Sequence, residues 1–169
     1  MAGLGAGRRG ILYSVAMDDT ETDRTWPSLD AATVRELWSR TYGADGRPDW
    51  SHIFPCYRPD VVFIDSIQRV DGFAAFKALC ERLTKRCRSL RMDVHEVTVD
   101  ENIVFISWTM TMAFRKFPDT PMEGCTRLVL HEDGRIAQQR DYYDLWGSVF
   151  DGIPRFGPRY RRFMRRYFG

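Results

Sequence analysis

The stretch Gly124 to Asp144, GCTRLVLHEDGRIAQQRDYYD, decides the fold. Cys125 to Leu130 is an apolar, β-branched run with alternation, His131-Glu132-Asp133-Gly134 has the composition of a tight turn, and Arg135 to Tyr143 resumes the extended pattern. This predicts a hairpin. Side chains alternate across a strand, so Gln139, Asp141 and Tyr143 share one face, and Gln138, Arg140 and Tyr142 share the other. An acid on the inner face is a candidate for chemistry.

Upstream, Ile103 to Lys116 reads as a long strand. One face carries Val104, Ile106, Trp108, Met110, Met112 and Phe114, the other Ser107, Thr109 and Thr111, and the apolar face is expected to point inward. Leu90 to Val99 is a preceding strand, with Asp100-Glu101-Asn102 as the turn, while Pro118 to Pro121 breaks the chain before the hairpin. Asp71 is expected to cap a long helix whose buried stripe is Phe73, Phe76, Leu79/Cys80, Leu83 and Cys87. Val61 to Asp65 and Gln68 to Val70 make a small hairpin. Ser28 or Asp30 caps a first helix with Val34, Leu37, Trp38 and Thr41/Tyr42 at helical spacing, ending at Gly43. A short helix over Asp49 to Phe54 is stopped by Pro55. Downstream, Leu145 to Phe150 continues as a short helix, and Pro158 to Phe168 forms a terminal one with Phe156, Tyr160, Phe163 and Tyr167 on one stripe. Helices first, then a run of long antiparallel strands, predict an α+β protein with helices on one face of a curved sheet.

A chain of 169 residues suits one domain, burying about 70% of its unfolded surface. Residues 1–27 read as a disordered or extended segment, residues 28–150 as the folded domain and residues 151–169 as a basic, aromatic tail. No window approaches the roughly 20 apolar residues of a membrane span. Net charge is only +2, but the last fifteen residues hold six arginines and no acid, so the electrostatic feature is local. Cys56, Cys80, Cys87 and Cys125 form no CxxC pair, which predicts buried, reduced thiols and a cytoplasmic location. The start, MAGLGAGRRGILYSVAM, has too short an apolar run for a signal peptide, and Met17 is a candidate start.

Pro59-Asp60-Val61-Val62-Phe63-Ile64-Asp65, Val70-Asp71-Gly72, and Asp133-Gly134-Arg135-Ile136 running to Arg140-Asp141-Tyr142-Tyr143-Asp144 together resemble the nuclear-transport-factor-2-like superfamily. Its members include SnoaL-like polyketide cyclases, ketosteroid isomerases, limonene epoxide hydrolases and scytalone dehydratases. The resemblance covers roughly Asp30 to Asp144. It implies a cone of curved, mostly antiparallel sheet closed by about three helices, enclosing a pocket, with a basic C-terminal helix added here. By the same resemblance, Asp65 takes the place of the isomerase's general base and Asp141 that of the epoxide hydrolase's acid. A homodimer formed through the outer sheet face is implied too. The epoxide hydrolase's Arg-x-Asp pair, however, falls at Trp108 and Met110. The isomerase's oxyanion acid falls near Thr126 and its helix-one tyrosine near Leu37 or Trp38. His52, His95 and His131 do not reproduce the dehydratase's histidine pair.

The pocket is expected to be lined by Trp38, Phe63, Ile106, Trp108, Met110 and Met112, with Asp65, Asp141, Gln139 and Tyr143 as its polar complement. A carboxylate in such surroundings loses hydration of its charged form, which raises its pKa toward neutrality. One expected function is therefore a cofactor-independent isomerase, cyclase or dehydratase for a hydrophobic carbonyl compound. In it Asp65 is the base, Asp141 the acid or orienting group, and Tyr143 a donor to the developing enolate. The other is a non-catalytic binding module for a hydrophobic small molecule or lipid, or a dimeric interaction module. No histidine has a second imidazole at ligand spacing and no dinucleotide or P-loop fingerprint occurs, so neither metal nor nucleotide cofactor is expected. The tail either packs its aromatic stripe on protein or touches an anionic membrane surface; nucleic acid is the less favoured partner.

Overall fold

A computed structural model of the chain describes residues 26–114, 120–150, 153 and 155–169. The expectations for residues 1–25, Lys116 and Pro118 lie outside these.

Helix α1 spans Ala31–Ser39. Of the two candidate caps it uses Asp30, whose carboxylate accepts from the Thr33 amide at 2.8 Å. It ends at Ser39, not Gly43, because Thr41 already turns inward and Tyr42 pairs as a lone bridge with Pro48. The next segment, Ser51–Cys56, is a 3₁₀ turn that contains Pro55 instead of stopping before it. Strand β1, Tyr57–Ile64, and β2, Arg69–Asp71, form the small hairpin. Helix α2, Phe73–Arg86, follows. Its cap is Gly72 at φ 87°, not Asp71. Asp71 still belongs to β2, pairs with Val62, and gives its carboxylate to the Arg69 guanidinium at 2.9 Å.

Strand β3, Cys87–Asp100, begins three residues before the expected Leu90 and pairs with β4, Ile103–Phe114. Along β3 the inward residues are Leu90, Met92 and Val94, then Val97. The parity changes because the register slips between Val94 and Glu96, leaving His95 as an extra residue. Arg35 of α1 holds this bulge, donating to the carbonyls of Val94 at 2.9 Å and His95 at 3.0 Å. On β4 the inward row is as expected: Val104, Ile106 and Trp108 are buried, and Met110 and Met112 half-buried.

Strand β5, Thr120–Leu130, starts inside the expected break and accommodates Pro121. Strand β6 spans Ile136–Tyr143. The turn between them closes through His131 N–H to Arg135 O and Gly134 N–H to His131 O, each 2.8 Å, with Gly134 at φ 79°. Asp133 ties this turn to β1, accepting from Arg135 at 2.8 Å and from Arg58 at 3.1 Å.

The six strands form one open sheet in the order β2-β1-β6-β5-β4-β3, antiparallel throughout except for β1 beside β6. Helices α1 and α2 lie over its inner face, packing on β3 and β1 respectively, and the core fills the space between. The whole is the curved α+β cone expected. Because β6 is central, residues on its inner face meet side chains from both neighbours. That places Gln139 and Asp141 at the middle of the concave surface. After β6 come a single π-helical turn, Leu145–Phe150, and helix α3, Phe156–Tyr167, which starts two residues earlier than expected.

Candidate functional site

Asp141 pairs directly with Thr126 across β5 and β6, and Gln139 precedes it by two residues on the same face. Asp141 is half-buried, and protein crowds its carboxyl group closely enough to desolvate it. Thr126 Oγ1 donates to Oδ1 at 2.7 Å, and Gln139 Nε2 lies 3.0 Å from Oδ1 and 3.3 Å from Oδ2. Each of these donors is itself directed by another group. Trp108 Nε1 donates to Thr126 Oγ1 at 2.9 Å, and because an indole N–H is donor only, the threonine proton is left for Asp141. The buried Tyr57 hydroxyl donates to Gln139 Oε1, which turns the amide N–H₂ toward Asp141. Two chains of donors therefore converge on one carboxyl group, Trp108 to Thr126 to Asp141 and Tyr57 to Gln139 to Asp141. Both meet at Oδ1, so Oδ2 is the oxygen left to carry or accept a proton.

Every one of those donors is neutral. Burial pushes the Asp141 pKa up, the Thr126 and Gln139 hydrogen bonds oppose this, and the charge of Asp65 adds to it, leaving the group at about 6. A lone buried acid poised there changes protonation state near neutral pH.

Trp108 reaches Thr126 because its register partner on β5 is Gly124. A Cβ on Gly124 would sit 2.3 Å from the indole Cη2, so the ring lies across the bare backbone. The Tyr143 ring is 6.5 Å from that of Trp108.

Asp65 lies just past the end of β1. Its Oδ1 accepts from the amides of Ile67 at 2.7 Å and Gln68 at 2.8 Å, closing the β1–β2 turn. The Tyr143 hydroxyl lies close enough to feel its charge: its pKa is raised by burial first and by Asp65 and Asp141 after it. Tyr143 is thus a permanently neutral donor.

The structure brings Asp65, Asp141, Tyr143, Gln139 and Trp108 into one neighbourhood. Phe63 joins it from β1, in register with Gln139. Trp38 and Ile106 belong to the packed core, and Met110 and Met112 pack half-buried against it. Two surface depressions, of about 670 and 230 Å³, lie elsewhere, against Pro158, Arg161, Arg162 and Arg165 and against residues including Trp26, Leu29 and Val99. Among the described residues no three His, Cys, Asp or Glu side chains converge as a metal site would require. All four cysteines are free; burial pushes Cys56 up to about 11, and burial with the nearby Asp141 pushes Cys80 up to about 12, far from reactive thiolates.

The sequence profile of the SnoaL-like domain matches residues 24–139. The chain belongs to the SnoaL-like domain family. No curated protein matches it in sequence. Among solved structures, this SnoaL-like chain is similar to an epoxide hydrolase of M. tuberculosis resembling limonene epoxide hydrolase, at 19% identity and TM-score 0.58, covering 75% of this chain and 92% of that one. It is also similar to a Catenulispora acidiphila protein of ketosteroid isomerase-like fold, at 12% identity and TM-score 0.61, covering 73% and 94%. A Jannaschia sp. CCS1 protein named for the SnoaL-like polyketide cyclases is 23% identical with TM-score 0.58, covering 73% and 90%. At such identities the likeness is one of fold.

Two groups that direct the Asp141 carboxyl were not among the site residues expected from sequence: Tyr57 and Thr126. Counting back from the predicted turn pairs Thr126 with Gln139, and only the register shift between Val129 and Leu130 brings it opposite Asp141. Tyr57 was hidden between Pro55 and Pro59, where a strand was not expected to begin. Replacing Thr126 by valine keeps its shape but leaves the Trp108 N–H without an acceptor and Asp141 one donor short. Thr126→Val is expected to lower the unfolding free energy by about 2 kcal/mol and to move the Asp141 titration upward, because the lost hydrogen bond is one that lowers its pKa. Urea unfolding and a carboxyl-detected NMR titration check the two parts; an unmoved titration would remove Thr126 from the site.

Proposed function

We propose that the protein is a cofactor-independent acid–base enzyme, an isomerase, cyclase or dehydratase of a hydrophobic carbonyl compound, with Asp141 as the proton-transfer group. The observation that carries this reading is the Asp141 carboxyl on the concave face of the sheet, raised by burial to about 6 against the hydrogen bonds of two neutral donors. As carboxylate, its Oδ2 takes a proton from the carbon beside the substrate carbonyl, and the C–H electron pair moves onto the carbonyl oxygen as an enolate. The same proton is then delivered to another carbon of the conjugated system, or leaves with a β-hydroxyl as water. Tyr143 is the neutral donor to the enolate oxygen. Asp65 is a positioning residue in this scheme: it closes the β1–β2 turn through the Ile67 and Gln68 amides. Hydrolysis of an epoxide, the chemistry named for the M. tuberculosis neighbour, is not proposed, since Trp108 and Met110 stand where the resemblance puts its charged pair.

Ile106 and Trp108 are buried in the core, so substrate enters where the packing is softer. The side chains able to yield are Met110 and Met112, half-buried and unbranched, at the C-terminal end of β4. That adaptability also favours a second reading, a binding module in which the same region takes up an apolar ligand without chemistry. The test is proton exchange: a panel of steroid, polyketide and terpenoid ketones is incubated with protein in D₂O, and deuterium uptake beside the carbonyl is followed by NMR. Uptake with wild type and its loss by a factor of 10² to 10⁴ in Asp141→Asn is expected. Ligand binding with no exchange by either protein would replace the enzyme with the binding module.

A further inference from the structure

Helix α3 is a 12-residue element, about 18 Å long. At 100° per residue, Phe156, Tyr160, Phe163, Met164 and Tyr167 fall on one stripe, and Arg159, Arg161, Arg162, Arg165 and Arg166 fill the rest of the circumference. The N-terminal half of the stripe is anchored to the domain by Trp146, whose ring stacks on Tyr160 at 4.9 Å and on Phe156 at 6.3 Å. The C-terminal half continues past that anchor, and there Phe163, Tyr167 and Phe168 are 51%, 62% and 76% exposed. Trp146 itself is 47% exposed. Large aromatic groups are not ordinarily left in water together, so this patch is built to meet something.

We propose that α3 is a membrane-surface helix that seats Phe163, Tyr167, Phe168 and Trp146 in the headgroup layer of an anionic phospholipid bilayer. Three observations select that occupant. The charge is of one sign: residues 155–169 carry six arginines and no acid. Apolar and basic residues are segregated around the axis, as in helices that lie in a membrane interface, where arginines reach phosphate while their stems stay in the apolar layer. The aromatic set is mixed, with Trp and Tyr as well as Phe, and such amphipathic rings prefer the headgroup level. No described helix is long and apolar enough to cross a membrane, and 18 Å falls short of the roughly 30 Å hydrocarbon core, so α3 lies on the surface. A second copy meeting it stripe to stripe would bring the flanking arginines of two helices together, with no acid on either to offset them. Phosphates of a nucleic acid would occupy the arginines and leave Phe163, Tyr167 and Phe168 in water. The proposal is independent of any role for Asp141.

The test is sedimentation of the whole protein with phosphatidylcholine vesicles, alone or with roughly one-third phosphatidylglycerol. Binding to the anionic vesicles only, falling with added salt, is expected. Arg159→Gln with Arg166→Gln is expected to weaken it about twenty-five-fold, at about fivefold per charge removed, without altering thermal unfolding. Phe163→Ala with Phe168→Ala is expected to weaken it about tenfold or more and to abolish the quenching of Trp146 by brominated lipid. Three results would overturn the proposal: no sedimentation with anionic vesicles, equal binding to neutral vesicles, or release of bound protein from vesicles by an equal weight of RNA. A fourth is conversion of a dimer to monomer by the phenylalanine pair, with vesicle binding unchanged.

Discussion

Gly124→Ala is expected to lower the unfolding free energy by about 3 kcal/mol or more, far above the effect of adding a methyl group to an ordinary half-buried strand position. The new Cβ would meet three atoms of the Trp108 ring at 2.3, 2.5 and 2.8 Å. What it meets is the body of a buried ring, not the free end of a flexible side chain. Either β4 and β5 separate locally or the indole leaves its seat. In the second case Trp108 loses its hydrogen bond to Thr126, and the donor chain to Asp141 loses its first link. Urea unfolding supplies the measurement, with an unchanged m-value showing that only stability moved. The partner control is Trp108→Leu, which costs stability alone but removes the clash. The double substitution should therefore be less destabilising than the sum of the singles by about 1 kcal/mol or more. Simple additivity would mean that the ring does not lie across Gly124.

That contact shows where sequence stops being informative. The hairpin was legible because two alternating runs flank a turn with a single Gly, and its parity correctly grouped Gln139, Asp141 and Tyr143 on the inner face. The long strand β4 was legible for the same reason. What alternation cannot express is a change of parity. The extra residue at His95 shifts the inward set from even to odd positions, and it is held by Arg35, some sixty residues away in sequence. Helix ends were misplaced where a residue had a competing use. Asp71 has the chemistry of a cap but is held on β2 by its pairing with Val62 and by Arg69, so Gly72 starts the helix.

The site was legible in part for a related reason. Asp141 and Gln139 follow from parity, but the groups that tune them come from three other strands. Tyr57 reaches Gln139 from β1 across a parallel pairing that no local pattern announces. Gly124 looks like a strand weakness in one dimension and is a seat for an indole in three. Nor can periodicity tell a filled cone from a hollow one. Inward Phe63, Ile106 and Trp108 are the same residues either way, and here they pack into the core. Asp65 reads as a base from resemblance, yet locally it is a turn residue whose carboxylate already takes two amide protons.

Asp141→Asn is expected to stabilise the fold at neutral pH while abolishing proton transfer, a combination that a purely structural acid would not give. The native pKa of about 6 lies above the ordinary 3.8, so between those values the folded state binds more proton than the unfolded one. Stability is then full below pH 4 and declines as pH rises through 6, by roughly 3 kcal/mol for a difference of about two units. An asparagine carries no charge to desolvate. Its Oδ1 can keep the Thr126 and Gln139 donors, and its N–H₂ falls on the Oδ2 side, where the one cost is the 3.3 Å contact, since Gln139 Nε2 is itself a donor. The variant should therefore show a flatter stability profile between pH 4 and 7, with a higher urea midpoint at pH 7 by an amount approaching that difference. In the proton-exchange assay the wild-type rate should rise with pH along a limb centred near 6 as the carboxylate forms, and the variant should lack the limb altogether. A variant less stable than wild type at pH 7 would mean that Asp141 is ionised through a stabilising partner the donor chains do not include. Its acid–base role would go with that result, because a carboxylate stabilised in its charged form has no reason to take up a substrate's proton.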